Sequence, residues 1–396
     1  MVALGRILTA LFCCNSLFLG IVDASRQDAV QEALQTIAQA GPNATGSLAA
    51  ARAVTNLKDV GPQILPQLLK AMNTENVVAL NWYRQVYDAV TAGQITGGQD
   101  AAQATPLPYD LFRKIALDGK QSGRLRRLMT REMEKYEPGF MDRHLASLLQ
   151  DDEFREEAVE FVLQQGDALL KENDQEAAVE QFTAAFAASR RSDQVIATAS
   201  RLNANGIEVD IIDHMGFVNR WYLLGPFDAP GMSGFEASFP PEENVDLTAD
   251  YRGQEDATIQ WQRFQTSDQL GQLNLVQAIG AVEEAVGFAY AEIESPRDQD
   301  VEVRCGADDN LSVWVNGEKV FARRQWLNGI RLDRFTAPCH LKEGRNAVLV
   351  KICQGPQHKN PAVPNNWSFQ LRFCNATGAA VGTRILSPPA FDDSSN

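Results

Sequence analysis

The spacing of the apolar residues changes once, near residue 216, and that change constrains the fold more than any other feature. From about 25 to 215 apolar side chains recur at helical spacing, and beyond "GIEVDIIDHMGF" they alternate. A 3.6-residue period gives a helix with one apolar stripe, and a period of two gives a strand with one apolar face. The expected fold is therefore multidomain, α then β: a helical domain over 25–215 and a β-sandwich over 216–378. The 396 residues also exceed what one ordinary core holds.

In the helical block, "RQDAVQEALQTIAQA" stops at Gly41-Pro42. The stretch "PQILPQLLKAMNTENVVALNWYRQVYDAVTAG" holds two helices, one from near Pro62 and one from near Glu75, with "MNTEN" as the turn. "GQITGGQDAAQATPLP" has no periodic apolar face and predicts a loop or hinge over 92–108. Helices resume at "YDLFRKIALDG" and continue through "QEAAVEQFTAAFAASRRSDQVIATASRLNANG". "QDDEFREEAVE" reads as an acidic helix N-terminus. Each pair leaves an apolar side that only a neighbour covers, which predicts a small α-solenoid or an irregular bundle.

The second block reads as short strands: "RWYLLGPFD", "GFAYAEIES", "DVEVRCGA", "RNAVLVKIC" and "WSFQLRFC". "NLSVWVNGEKVFA" gives two more, joined by Asn316-Gly317, the strongest short hairpin signal. In the last strand Trp367, Phe369, Leu371 and Phe373 alternate with Ser368, Gln370 and Arg372, so one face is expected in the core and the other in water. Many short strands with polar turns predict a sandwich or jelly roll. Trp221 and Trp367 read as core residues. The tail over 379–396, ending "PPAFDDSSN", is expected to be disordered.

Residues 1–24 read as a secretory signal: Arg6, the apolar run "ILTALFCCNSLFLGIV", then small residues at Val22 and Ala24. An uncleaved anchor is the competing reading, but a span needs ~20 apolar residues and Asn15 interrupts this run. No later segment is long and apolar enough to span a membrane. The mature chain is expected to be exported, whether secreted, periplasmic or in the cell envelope. A net charge of -15 repels phosphate backbones, so nucleic acid is not an expected partner. The most basic stretch, "SGRLRRLMTREMEK", reads as the solvated face of one helix.

Four cysteines follow the signal: Cys305, Cys339, Cys353 and Cys374. If the strands ending in Cys353 and Cys374 pair antiparallel, their thiols sit ~20 Å apart at ~3.3 Å per residue. A disulfide needs Cα atoms within ~7 Å. Buried free thiols are the expectation.

The candidate site residues surround the hairpin. Asp308, Asp309 and Asn310 precede its first strand, either as a ligand or metal site or as a corner whose side chains cap backbone N–H groups. Leu311, Val313 and Val315 share one face, so Trp314 points to the other, to stack on a sugar ring or to pack. Arg323, Arg324 and Trp326 follow, and cations beside an aromatic suit acidic sugars; the plainer reading is a solvated basic turn. His144, His214, His340 and His358 are scattered without metal-protease spacing. No nucleophile elbow, phosphate loop or dinucleotide fingerprint is present.

These strands, taken with "VRCGADDNLSVWVNGEKVF", resemble the galactose-binding-like jelly-roll domains found in secreted proteins, many from Planctomycete bacteria, behind helical repeats. The helices "GPQILPQLLKAM" and "GDALLKENDQEAAVEQFTAAFAAS" resemble HEAT and tetratricopeptide (TPR) units respectively. The aspartate pair before a "VNG" turn is similar to PA14-type carbohydrate-binding modules. That resemblance implies calcium held by Asp308 and Asp309, although calcium takes 6–8 oxygens and no further acidic ligand lies close in sequence. The implied function is that of an exported, non-catalytic binding protein. Its sandwich would recognise a carbohydrate or glycan, and its helical array would meet a protein partner. The alternatives are an envelope scaffold without sugar binding and an unrecognised polysaccharide hydrolase.

Overall fold

The computed structural model describes residues 26–95, 107–326, 329–360 and 362–389. The signal reading of 1–24 and most of the 92–108 hinge lie outside the described residues. Two compact units divide the chain, Met1–Phe154 and Arg155–Asn396. Among the described residues no helix is long and apolar enough to cross a membrane.

The first unit is helical: α1 (26–38), α2 (Ser47–Lys58), α3 (Leu65–Met72), α4 (Val77–Ile95), α5 (Tyr109–Leu117) and α6 (Gly123–Tyr136). Pro62 opens a 3-10 turn that leads into α3, where its fixed φ and missing N–H suit a helix start. Asn76 closes the "MNTEN" turn. Its Oδ1 accepts from Val78 N at 3.1 Å and Ala79 N at 3.2 Å, while its Nδ2 donates to Ala40 O at 2.8 Å. One side chain thus caps the start of α4 and a carbonyl just past α1. Ile37, Leu65, Leu68, Phe112, Met129 and Phe140 anchor the core.

Helix α6 departs from the expected solvated face. Arg124, Arg127 and Arg131 are exposed, but Arg126 shares the buried face of Met129, Thr130 and Met133. Its guanidinium forks onto Asp151 at 2.9 and 2.8 Å, and its Nε donates to Ala116 O at 3.1 Å. A charge on a helix's apolar face persists only with such a partner, and a basic sequence does not reveal which arginine has one.

The second unit opens with α7 (Arg155–Lys171), α8 (Gln175–Ala188), α9 (Ser192–Ala204) and α10 (Ile211–Met215). Glu156 and Glu157 lie in the first turn of α7, as the acidic N-terminus reading expects. The sequence reading gave these helices to the helical domain, but compactness joins them to the sheets. The reason is a shared cluster, in which Val195 and Ala199 of α9 and Ile211 and Met215 of α10 pack with Phe217. Helix gives way to strand at Gly216, where the period changes. Gly216 has φ 75°, and a Cβ there would sit 2.4 Å from Phe373 O, so only glycine fits.

Thirteen strands follow among the described residues. One sheet runs β4 (Gln262–Gln265), β1 (Arg220–Asp228), β6 (Ala285–Ser295), β11 (Gly344–Gln354), β8 (Leu311–Val315), β9 (Glu318–Arg323), with β13 (Arg384–Ser387) also on β6. The other runs β10 (Phe335–Leu341), β7 (Gln299–Ala307), β12 (Ser368–Cys374), β5 (Leu273–Asn274); β2 (Tyr251–Arg252) and β3 (Thr258–Ile259) pair apart. Every pairing is antiparallel. Val313 and Val350 of the first sheet pack in one cluster with Val303, Phe369 and Leu371 of the second, so the two layers share a core. Trp221 and Trp367 belong to it, as expected. Asn316 at φ 53° and Gly317 at φ 81° make the expected hairpin turn.

Three expectations need correction. The polar face of β12 is not wet: Ser368, Gln370 and Arg372 are all buried. The chain after Gly329 and the turn at 375–379 cover it. Arg372 donates through Nε to Asp333 at 2.8 Å, and through a terminal nitrogen to Met215 O at 3.0 Å and Gly378 O at 2.9 Å. The strands ending in Cys353 and Cys374 lie in different sheets, so their antiparallel pairing does not occur. All four thiols are nonetheless buried and free, and burial pushes those of Cys305, Cys339 and Cys353 up to about 12. The tail is not unstructured throughout. β1 pairs with β6 only over Ala285–Tyr290, and β13 takes the vacant edge at Glu292–Glu294.

Candidate functional site

The Asp308–Asn310 corner links β7 to β8. Its three side chains turn to different parts of the chain. Asp308 accepts from Gly329 N at 2.8 Å and from the Ser368 hydroxyl, and its own N–H donates to Ser368 O at 3.1 Å. Asp309 Oδ2 accepts from Gly355 N at 3.0 Å, and Asn310 Oδ1 accepts from Gln325 N at 2.5 Å. This is the capping arrangement, in which one corner pins the chain after β9 and the β11–β12 connection.

The calcium reading does not fit these residues. The two carboxylates hold separate backbone groups, and among the described residues no three His, Cys, Asp or Glu side chains gather as a metal set. Calcium needs 6–8 oxygens. Burial also raises the Asp308 pKa, against the hydrogen bonds from Ser368 and Gly329 that lower it, so the corner stabilises the charged carboxylate less well than water does.

Trp314 does point away from Leu311, Val313 and Val315, as its register predicts. It is only 6% exposed and packs with Leu349, Phe288 and Tyr290 on the outer face of the larger sheet. Lys319 Nζ lies 4.7 Å from its ring centroid. With both ring surroundings filled, it packs rather than presenting a platform. Arg323 ends β9 and is exposed; Arg324 pairs with Glu236 at 2.8 Å.

Asp309 and Trp326 come together. They line a cleft of about 550 Å³ at one rim of the sheets, with Met232 from the β1–β2 connection and Gly355–Lys359 and Val363–Asn366 from the β11–β12 connection. A Cβ at 355 would stand 2.9 Å from Trp326 Cζ3 and 3.3 Å from Asp309 Oδ2. The indole therefore lies against bare backbone, and glycine permits that approach. The connection is braced: Gln357 N donates to Glu283 Oε2 at 3.2 Å, Glu284 N to Gly355 O at 3.1 Å, and Ala362 N to Asn360 Oδ1 at 3.0 Å. The lining offers an indole, the Met232, Val363 and proline surfaces, and the amides of Gln357, Asn365 and Asn366 beside one carboxylate.

Of the seven candidate residues, the structure thus brings only Asp309 and Trp326 into one concave site. Sequence reading missed Met232 and the 355–366 segment. Its signal was present: a long proline- and asparagine-rich connection, "GPQHKNPAVPNN", between two core strands.

No protein-family model and no curated relative matches the chain. Among solved structures, a β-glucosidase from Kluyveromyces marxianus in complex with glucose aligns at 12% identity and TM-score 0.25, over 39% of this chain and 16% of that one. A GH2 β-galacturonidase from Eisenbergiella tayi bound to glycerol aligns at 9% and 0.22, over 40% and 25%. An anti-sigma factor domain-containing protein from Clostridium clariflavum aligns at 12% and 0.21, over 45% and 50%. The chain spans no more than half of any of these three. At such TM-scores the matches decide neither fold nor function.

Proposed function

We propose that the chain is an exported, non-catalytic carbohydrate-binding protein whose two-sheet unit is a galactose-binding-like jelly roll. The helices present a HEAT- and TPR-like surface to a protein partner. One observation carries the reading: the rim cleft joins Trp326 to Asp309 and three amide side chains. A pyranose has an apolar face for an aromatic ring and hydroxyls for amides and carboxylates, and this lining supplies both. The non-catalytic part rests on the carboxylate count. Asp309 is the single acid in the lining, whereas glycoside hydrolysis uses two facing carboxyl groups. The TPR-like part rests on Gly166 of α7, where a Cβ would meet Phe182 of α8 at 2.4 Å, a close small-on-large helix contact.

Glycan-array binding followed by calorimetry tests the proposal. Trp326→Ala is expected to weaken the best glycan by about 10–100-fold, the ~1–3 kcal/mol of a stacked ring. The melting temperature is expected to fall by only a few degrees, because Trp326 is half-buried against Gly355 at the rim and is not a member of the sheet core. A protein that retains glycan affinity after this change binds elsewhere. One that captures protein partners and no glycan is a scaffold.

A further inference from the structure

We infer that the ligand of the rim cleft carries a carboxylate and that Lys359 receives it. The inference rests on the carbohydrate reading and names the sugar class, an acidic pyranose of the uronate type.

The cleft's own charges point this way. Asp309 is engaged internally by Gly355 N at 3.0 Å, which offsets part of its negative charge. Lys359 lines the same cleft, is exposed, and has no ion pair or hydrogen bond among the described residues. His358 beside it lines the cleft too, with its Nδ1 3.1 Å from Asn360 N and 3.4 Å from Asn360 O. The arginines that the sequence singles out are not available here. Arg324 is committed to Glu236 at 2.8 Å, and neither it nor Arg323 lines the cleft.

A neutral sugar gains little from an ammonium group at this position. A uronate does: while its ring lies on the Trp326 indole, the carboxylate projects from the ring edge. The four-carbon lysine stem reaches such an edge without fixed geometry. The chain carries 51 acidic residues against 36 basic ones, so its general field opposes anions. Recognition of an acidic sugar therefore needs a local cation in the cleft, and Lys359 is placed to be it.

The test titrates the full chain with polygalacturonate, alginate and hyaluronate, each beside its methyl ester, which keeps the ring and removes the charge. At least one acid form is expected to bind about fivefold tighter than its ester, as an exposed ion pair gives. Lys359→Gln is expected to bring that ratio close to one, and added salt to weaken the acid form alone. Equal binding of acid and ester overturns the inference, as does a ratio unchanged in Lys359→Gln. It also falls if no polyuronate binds while a neutral glycan binds through Trp326; the carbohydrate reading then stands. Failure of every glycan, neutral or acidic, takes both.

Discussion

Asp151 in the helical unit and Asp308 in the sheet unit are both carboxyl groups largely removed from water. Asp151 meets a guanidinium: two hydrogen bonds from Arg126 at 2.9 and 2.8 Å, with Glu153 N and Phe154 N on the same oxygen as the first. Burial pushes its pKa up, but Arg126 and the backbone donors outweigh burial and hold it below the usual range. Asp308 meets the Ser368 hydroxyl and the backbone N–H groups of Gly329 and Ser368 rather than a guanidinium, and burial prevails, so its pKa rises. Depth alone does not set the charge state; the partner does. The helical unit holds a charge pair, and the sheet unit holds a carboxyl group that keeps its proton more tightly than a free one.

The largest effect expected from this contrast is in the helical unit. Arg126→Met leaves the half-buried Asp151 without its counter-charge and is expected to lose about 2–3 kcal/mol in denaturant unfolding, the scale of charge-assisted hydrogen bonds. Adding Asp151→Asn keeps an acceptor for Glu153 N and removes the charge, and should recover a good part of the loss. A single-mutant loss under ~1 kcal/mol, the size of an exposed pair, would erase the contrast.

Next in size is the pH response, which has opposite signs in the two units. Asp151, with its lowered pKa, adds stability present above the unfolded carboxylate value of ~3.9 and lost as pH falls through the lowered value. Asp308, with its raised pKa, adds stability present below ~3.9 and lost as pH rises through the raised value. Asp308→Asn mimics the neutral acid, with an oxygen for Gly329 N and an amide for Ser368. Its β12 amides should therefore become better protected than wild type as pH rises from about 4, read by hydrogen exchange. A difference that shrinks with rising pH gives Asp308 the wrong sign.

The same contrast shows what a sequence carries. Local patterns were legible: the change at Gly216, the Asn316-Gly317 turn, the side to which Trp314 points, and the Pro62 helix start all follow from backbone chemistry within a few residues. What failed was long-range. Arg126 finds Asp151, and Arg372 finds Asp333 and Met215 O, across separations that no period encodes. The buried face of β12 and the strand β13 depend on which segment folds back over an open surface or edge. The aspartate corner was found, but its two carboxylates look alike in sequence and are separated only by what stands opposite each.

That separation yields the smallest effect and the finest test. Asp309 is 9% exposed and lines the cleft, whereas Asp308 is 1% exposed and does not. In Asp309→Asn the amide oxygen still accepts from Gly355 N, so unfolding free energy should move by less than about 1 kcal/mol. Asparagine presents a donor where the carboxylate presented an acceptor, so a ligand hydroxyl that donated to Asp309 loses its partner. Glycan affinity should fall several-fold with stability nearly unchanged. Asp308→Asn should do the reverse, altering the pH dependence of stability while leaving affinity near wild type. If both substitutions change affinity alike, or neither does, adjacent aspartates do not divide structure from recognition, and the cleft's polar contacts come from the 355–366 amides alone.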